Sequence, residues 1–420
     1  MSQSPAVTSA PTSDLRDGLA LTPAEEAFRE ELSTWLDEHL PDGWGTPAFR
    51  YPRGPAERLA WFREWQATMD RGGWVAIHWP REYGGREATL LEQVVYHTEL
   101  ARQKVPPLVG HIGLSLCGPT IMVHGTDEQR ERFLAPMRSG EHIWCEGFSE
   151  PDAGSDLAGL KTRGEIDGDE LVLNGQKIWT SGAEIADWMF ALVRTDPDAP
   201  KRHGISFVLV PMDADGIEIR PIRQIGGDAG FNEVFLTDVR VPLSNVVGPL
   251  NEGWSVARTT LSHERSTLFM ASQLRMAQTL ADIVALAQHT AAADPTAGVA
   301  DEGIRRRIAR AWIANQLSRI NGVRNLGRVL AGEQPGPEGA VMKLFGQETE
   351  KALYELALDV AGPMAVLDKG ADAAPDGGKW ILGYLRTRAS TIGGGTSEIQ
   401  RNILAERVLG LPRDPWADDD

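Results

Sequence analysis

Residues 147–159, Gly-Phe-Ser-Glu-Pro-Asp-Ala-Gly-Ser-Asp-Leu-Ala-Gly, bring three glycines, two serines and three carboxylates into thirteen positions. Such a stretch is too polar and too flexible for a core strand. Pro151 removes a backbone donor and Gly154 permits positive φ, so a strand end turning into a loop is expected. A loop of this kind offers N–H groups and hydroxyls to a ligand rich in phosphate or carbonyl oxygens. By its residues alone it reads first as a surface turn after a strand. Further on, Gly393-Gly394-Gly395-Thr396-Ser397-Glu398 reads as a glycine-rich lead into a helix, with capping-box spacing between Ser397 and Gln400. That geometry also suits oxygen-rich ligands.

Three blocks of the chain must position these segments. Thr22-Pro23-Ala24-Glu25 combines capping-box spacing with proline at the first helical position, and Phe28, Leu32 and Trp35 give the following helix an apolar face. Pro41 ends it. Further helices are predicted over 57–71, 90–102 and 128–137, the last opened by a capping box at Thr126-Asp127-Glu128-Gln129. After a disordered tail over 1–20, residues 21–140 therefore read as a helical domain. The rhythm then changes. Asp167-Gly168 and Asn174-Gly175 are hairpin-turn dipeptides, with short strands over 170–173 and 177–179 around the second. Strands rich in β-branched residues follow over 205–212 and 234–241, so 141–248 reads as a small antiparallel β domain. Helices return from Gly253. Ile313, Leu317 and Ile320 keep helical spacing in one segment, and Leu353, Leu356, Ala357 and Val360 in another. The stretches 291–303 and 332–339 read as loops. A bundle is expected over 249–413, its apolar faces buried against one another or a second subunit, with an acidic tail over 414–420.

Composition bounds the function. Hydrophobic content of 42% and charged content of 24% are those of a globular protein. A net charge of −17 argues against nucleic-acid binding, so phosphates would have to be held by local donors. No apolar run is long enough to span a membrane, and the N-terminus lacks the pattern of a secretory signal. Cys117 and Cys145 have no metal-binding spacing, so no metal is expected and both are read as reduced, inert thiols of a cytoplasmic protein.

The 147–159 stretch resembles the first signature of the acyl-CoA dehydrogenase family of flavoenzymes, in which a Ser/Thr-Glu-Pro-x-Ala-Gly-Ser-Asp run lies against the flavin. Three more segments resemble that family, in its order. Gln176-Lys177-Ile178-Trp179-Thr180-Ser181-Gly182 is similar to its flavin-facing tryptophan strand. Glu252-Gly253-Trp254 through Glu264-Arg265 is similar to the start of its C-terminal helical domain, and Gly393 to Asn402 to its last signature. The resemblance spans almost the whole chain. It implies an N-terminal all-α domain, a middle antiparallel β domain and a C-terminal four-helix bundle, with FAD between the last two. It also implies an acyl-CoA substrate, a trans-2-enoyl-CoA product, an electron-transfer flavoprotein as acceptor, and a homotetramer or heterotetramer.

Removing the α-hydrogen of an acyl thioester needs a base, and a carboxylate serves if a closed site raises its pKa. The hydride acceptor must be a cofactor, since no side chain accepts hydride. In the commonest family members a glutamate precedes the Gly-Thr of the last signature; here that position is Gly394. Glu264 supplies the replacement that the resemblance implies, placed as in the isovaleryl-CoA dehydrogenase branch. Arg265 either buttresses Glu264 or the substrate, or is an ordinary helix cation. The resemblance further implies flavin contacts from Trp179 (indole face), Ser181 (hydroxyl near the reactive ring nitrogen) and Thr180. Phe148 and Ser149 would meet the pyrimidine edge partly through backbone groups, and Ser155 would lie near the pyrophosphate and the thioester. Thr396 and Glu398 would serve the dinucleotide, Gly395 the substrate, and Gly362 the dinucleotide of a neighbouring subunit, although Pro363 replaces the usual second glycine. The family's Arg-x-x-Phe-Gly turn is missing, and Arg305, Arg306 or Arg307 is the candidate to replace its arginine on the pyrophosphate. Two other readings stay open at this stage: a non-catalytic or half-site subunit of a heteromeric dehydrogenase, and a flavin oxidase or monooxygenase on the same fold.

Overall fold

The computed structural model describes residues 21–46, 48–263, 268–331, 336 and 339–412. Both expected tails, Glu264 and Arg265, and most of the 332–339 loop lie outside the described residues. The described residues form two compact units, one of residues 27–263 and the other of residues 268–412 together with residues 21–26.

Helices lead the first unit: α1 (Pro23–His39), α2 (Pro55–Arg71), α3 (Leu90–Arg102), α4 (Gly118–His124) and α5 (Asp127–Ser139). Local chemistry fixes their starts. Thr89 with Glu92, and Thr126 with Gln129, each close a reciprocal capping box, and the Glu25 carboxylate accepts the Thr22 N–H at 2.6 Å. Buried Gln66 ties α2 to the end of α5, donating to the carbonyls of Met137 and Arg138 and accepting the Gly110 N–H.

The sheet that follows contains β1 (Trp144–Gly147), β2 (Arg163–Asp167), β3 (Glu170–Ser181), β4 (Trp188–Arg194), β5 (Ile205–Pro211), β6 (Ile217–Ile222), β7 (Phe231–Pro242) and β8 (Val246–Val247). Their order is β6-β7-β3-β2-β4-β5-β8, and β1 pairs with β4. The long ladders β2–β3, β3–β7, β6–β7 and β4–β5 are antiparallel, whereas β1 runs parallel to β4. Leu171, Leu173, Met189, Ala191, Val208, Val210, Val234, Leu236, Val239 and Val241 build its core, with Cys145 among them. Both cysteines are free and buried, and burial pushes both thiols up.

One turn expected from sequence is not a turn. Asp167-Gly168 does begin a hairpin, since Asp167 pairs with Glu170. Asn174-Gly175, however, lies inside the single strand β3, where the register shifts between Leu173 and Gly175. The glycine is needed there for space: a Cβ would stand 2.7 Å from the Thr162 Cα and 2.5 Å from its Oγ1. The same dipeptide chemistry that makes a tight turn thus makes a β-bulge.

After the sheet, α6 (Gly253–His263) completes the first unit and packs on β5. The second unit holds α7 (Leu268–Ala293), α8 (Glu302–Leu330), α9 (Gly339–Ala361), α10 (Lys379–Ser390) and α11 (Ser397–Ile403). Met276, Leu280 and Ile283 of α7 meet Leu353, Leu356, Ala357 and Val360 of α9 and Trp380 of α10 in its core. On α8 the expected apolar face is real, but part of it is uncovered among the described residues. Ile304, Ile308 and Ala311 pack on the core, whereas Ile313, Leu317 and Ile320 are 51%, 46% and 53% exposed. No helix among the described residues is long and apolar enough to cross a membrane.

Candidate active site

In the first unit, the 147–159 stretch leaves β1 and turns as expected. Glu150 and Ala153 exchange backbone bonds at 3.1 and 3.0 Å, closing a tight turn over Pro151 and Asp152. The Phe148 ring is buried edge-on between Phe190 and Phe207, so that residue can offer a ligand only its backbone. Ser149 is half-buried, and Ser155 is exposed.

Beneath this loop lies a pair that the sequence reading did not single out. Lys177, on β3, has no exposed surface. Its Nζ donates to Glu150 Oε1 at 2.7 Å, to the Leu192 carbonyl at 2.7 Å and to the Phe148 carbonyl at 3.3 Å. The Glu150 carboxylate also accepts the backbone N–H groups of Lys161 (2.6 Å) and Thr162 (2.9 Å). Burial pulls the Lys177 ammonium down to about 8, against the opposing pull of Glu150. Burial also works to raise the Glu150 carboxyl, but the Lys177 charge and the hydrogen bonds outweigh it and leave the group below its ordinary 4.5. The pair is therefore ionised at neutral pH. A depressed carboxyl contributes stability that is fully present above 4.5 and is lost as pH falls through the folded value below it. Urea midpoints measured from about pH 6 down to about pH 3.5 should fall below pH 4.5, and more steeply for the native chain than for Glu150→Gln. Equal slopes would refute the assignment.

Immediately past Lys177, the β3–β7 ladder breaks. Lys177 pairs with Val234 and Thr180 with Asn232, leaving Ile178 and Trp179 between them. Ile178 donates its N–H to the Ser149 carbonyl at 3.0 Å. Trp179 sits at φ +61° and is 56% exposed, its edge against Phe231 at 6.2 Å. An indole held in the left-handed region and turned outward is costly unless it serves a ligand. Thr180 is fully buried, and its Oγ1 finds no partner among the described residues. Ser181 is half-buried opposite Phe231. Buried Asn232 secures the strand end, donating to the Thr180 carbonyl and to Glu184. The carbonyls of Phe148, Ser149 and Glu150 are all engaged inside the protein, beside an open aromatic face. Such a surface fits a flavin ring and its oxygens.

The second unit holds the remaining predicted residues. Gly394 and Gly395 adopt φ +63° and +92°, and Lys343 of α9 donates to the carbonyls of Gly393 (2.7 Å) and Gly395. The expected cap at Ser397 is displaced by one residue: Thr396 is the N-cap, accepting the Ile399 N–H at 3.2 Å. Ser397 instead is buried and donates to Glu348 of α9. Glu398 is exposed, its carboxyl lowered first by its own backbone N–H. Gly362, at φ +64°, has open space where a Cβ would be. The three candidate arginines all have partners: Arg305 with the Val299 and Ala300 carbonyls, Arg306 with Glu302, and Arg307 with Asp359.

Along the chain a helical block, a middle sheet and a helical bundle follow one another, with an open indole beside a polar loop in the sheet. Family models for acyl-CoA dehydrogenase match in the same order: the N-terminal domain over residues 22–141, the middle domain over 145–239 and the C-terminal domain over 251–409. The chain belongs to the acyl-CoA dehydrogenase family of oxidoreductases. It is 42% identical to acyl-CoA dehydrogenase IpdE1 of Mycobacterium tuberculosis, over 93% of this chain and 98% of that one. Among solved structures it resembles the ChsE4-ChsE5 complex from Mycobacterium tuberculosis (33% identity, TM-score 0.79, 94% of this chain and 100% of that one). It also resembles the Tcur3481-Tcur3483 steroid acyl-CoA dehydrogenase (32% identity, TM-score 0.79, 94% and 99%).

Proposed function

We propose that the chain binds FAD and oxidises the α,β-bond of a bulky, fused-ring acyl-CoA to the trans-2-enoyl thioester. The observation that carries the reading is Trp179: a tryptophan in a strand, at positive φ and more than half exposed, beside a loop whose carbonyls are already engaged. The Trp179 indole would support the isoalloxazine, and the Ser181 hydroxyl and the backbone of residues 148–149 would fix its polar edge. Bound FAD would supply the acceptor for the β-hydrogen and its electron pair. Glu264 would take the α-proton, a role resting on its match in sequence to the isovaleryl-CoA dehydrogenase branch. Ser155, Gly395 and Arg265 would orient the thioester, while Thr396, Glu398 and Gly362 would border the dinucleotide. An electron-transfer flavoprotein would reoxidise the enzyme. The three-domain division over 21–140, 141–248 and 249–413 is part of the same reading.

Likeness to a steroid acyl-CoA dehydrogenase, and to a complex named for two chains, favours a fused-ring substrate and a mixed tetramer. The half-exposed Ile313, Leu317 and Ile320 on α8 supply an apolar face for such an assembly. To test the reading, the chain would be purified alone and with a related chain, loaded with FAD, and titrated anaerobically with straight, branched and fused-ring acyl-CoAs. Loss of the oxidised-flavin absorbance with fused-ring substrates is expected. A folded yellow protein that no acyl-CoA bleaches would refute it.

A further inference from the structure

We propose that the buried Lys177–Glu150 pair is the positioning device that sets Trp179 against the 148–150 loop, and so governs how tightly and in what geometry the chain holds its flavin. The inference rests on the flavin reading above for its ligand, but its geometry is independent of it.

An ammonium has three donors and no acceptor, and Lys177 uses its donors on two segments: the loop at Phe148 and Glu150, and β4 at Leu192. Glu150 extends the junction to the lead into β2 through Lys161 and Thr162. Lys177 is also the last paired residue of β3 before the break that frees Ile178 and Trp179. Where it is anchored therefore decides where the unpaired indole begins. The Ile178 N–H bond to the Ser149 carbonyl then fixes the loop to the same two-residue break.

Stability alone does not require this arrangement. Apolar residues of similar volume usually replace a buried ion pair with no loss, whereas removing one partner strands a charge. What an apolar pair cannot do is direct three bonds at once onto Phe148, Glu150 and Leu192. The pair is thus read as a geometric constraint placed one step behind the ligand. Neither side chain is exposed enough to touch a bound cofactor: Lys177 is 0% exposed and Glu150 7%.

Three full-length chains test this: native, Lys177→Met, and the double variant Lys177→Met with Glu150→Gln. The neutral amide still offers an acceptor to the Lys161 and Thr162 N–H groups. The single variant should lose about 10 °C in thermal midpoint, and the double variant should recover most of that loss. With stability restored, the double variant should still bind FAD about tenfold more weakly, with altered visible circular dichroism of the bound flavin. Without cofactor, the amides of 148–150 and 178–180 should exchange about tenfold faster in the double variant than in the native chain. Native FAD affinity, native flavin dichroism and native exchange in the double variant would overturn the inference. If the folded native chain binds no FAD, the flavin reading fails. The exchange comparison then decides alone whether Lys177 positions this segment.

Discussion

Glu264→Gln is expected to lower turnover by about a thousandfold or more, with flavin binding and thermal stability nearly unchanged. The amide has the shape of the carboxylate but cannot accept a proton. The α-hydrogen of a thioester is too weakly acidic to leave without a base, and loss of a general base typically costs 10²–10⁴-fold. What makes the expectation sharp is the residue found elsewhere. Where the commonest family members have a glutamate, this chain has Gly394, in a turn at φ +63° whose flanking carbonyls are bonded by Lys343. A glycine offers no carboxylate at that position, so in the proposed reaction Glu264 has no second base at that place in the family's last signature. Rapid-mixing measurement of flavin reduction by a competent acyl-CoA gives the result directly. A variant that stays yellow, folded and slow would support Glu264 as the base; one that reduces at the native rate would end the assignment.

How much of this was legible beforehand depended on whether the signal was local. Helix starts were legible because a cap is chemistry between near neighbours: Thr126 and Gln129 form the box that their spacing announces. The cap of α11 was misread by one residue because Thr396 and Ser397 are both good caps, and only the bond from Ser397 to Glu348, 49 residues away in sequence, removes the second. Strands β4 and β5 are buried equally continuously, over 188–193 and 205–210, and neither has a period of two to detect. β5 was legible from its β-branched Ile205, Val208 and Val210, whereas β4 has only Val193 and was missed. Edge strand β6 escaped because Pro221 argues against a strand, and proline is tolerated only at such an edge. The motifs proposed to face the flavin were visible as residue types in order. Lys177 was quoted among them, yet its burial was not foreseen: a lysine in an alternating strand reads as solvated. Its partner lies 27 residues earlier and arrives only when the sheet closes. On α8 the opposite occurred. The helical period was right, but period alone does not tell whether the same chain covers the face.

Gly253→Ala is expected to destabilise the chain by about 3 kcal/mol, lowering the thermal midpoint by about 10 °C. Gly253 opens α6, and a Cβ on it would lie 2.4 Å from the Phe207 nitrogen and 2.4 Å from the Ser206 carbonyl carbon. Both are main-chain atoms of β5, held on one side by β4 through Phe207 and Leu192 and on the other by β8 through Phe207 and Val247. Neither can rotate away as a side chain would. The approach to α6 is equally fixed. Asn251, at φ +69°, gives its N–H to Ser206 Oγ at 2.9 Å, its Oδ1 accepts from Thr195 at 2.5 Å, and Glu252 bridges to Ile205. The direction of α6, the helix that precedes Glu264 in the chain, is thus set by main-chain contact on a strand. In the folded fraction of Gly253→Ala a shift of about 1 Å at this point should cost turnover about a hundredfold, beyond what lost stability explains. Gly168→Ala is the matched control. Its φ is +67° but nothing lies within 4 Å of the added carbon, so only conformational strain of about 1 kcal/mol is expected, with native turnover. Denaturant unfolding and turnover of the two variants side by side separate steric contact from backbone strain. A Gly253→Ala chain as stable and as active as the control would show that α6 is aimed by something other than β5.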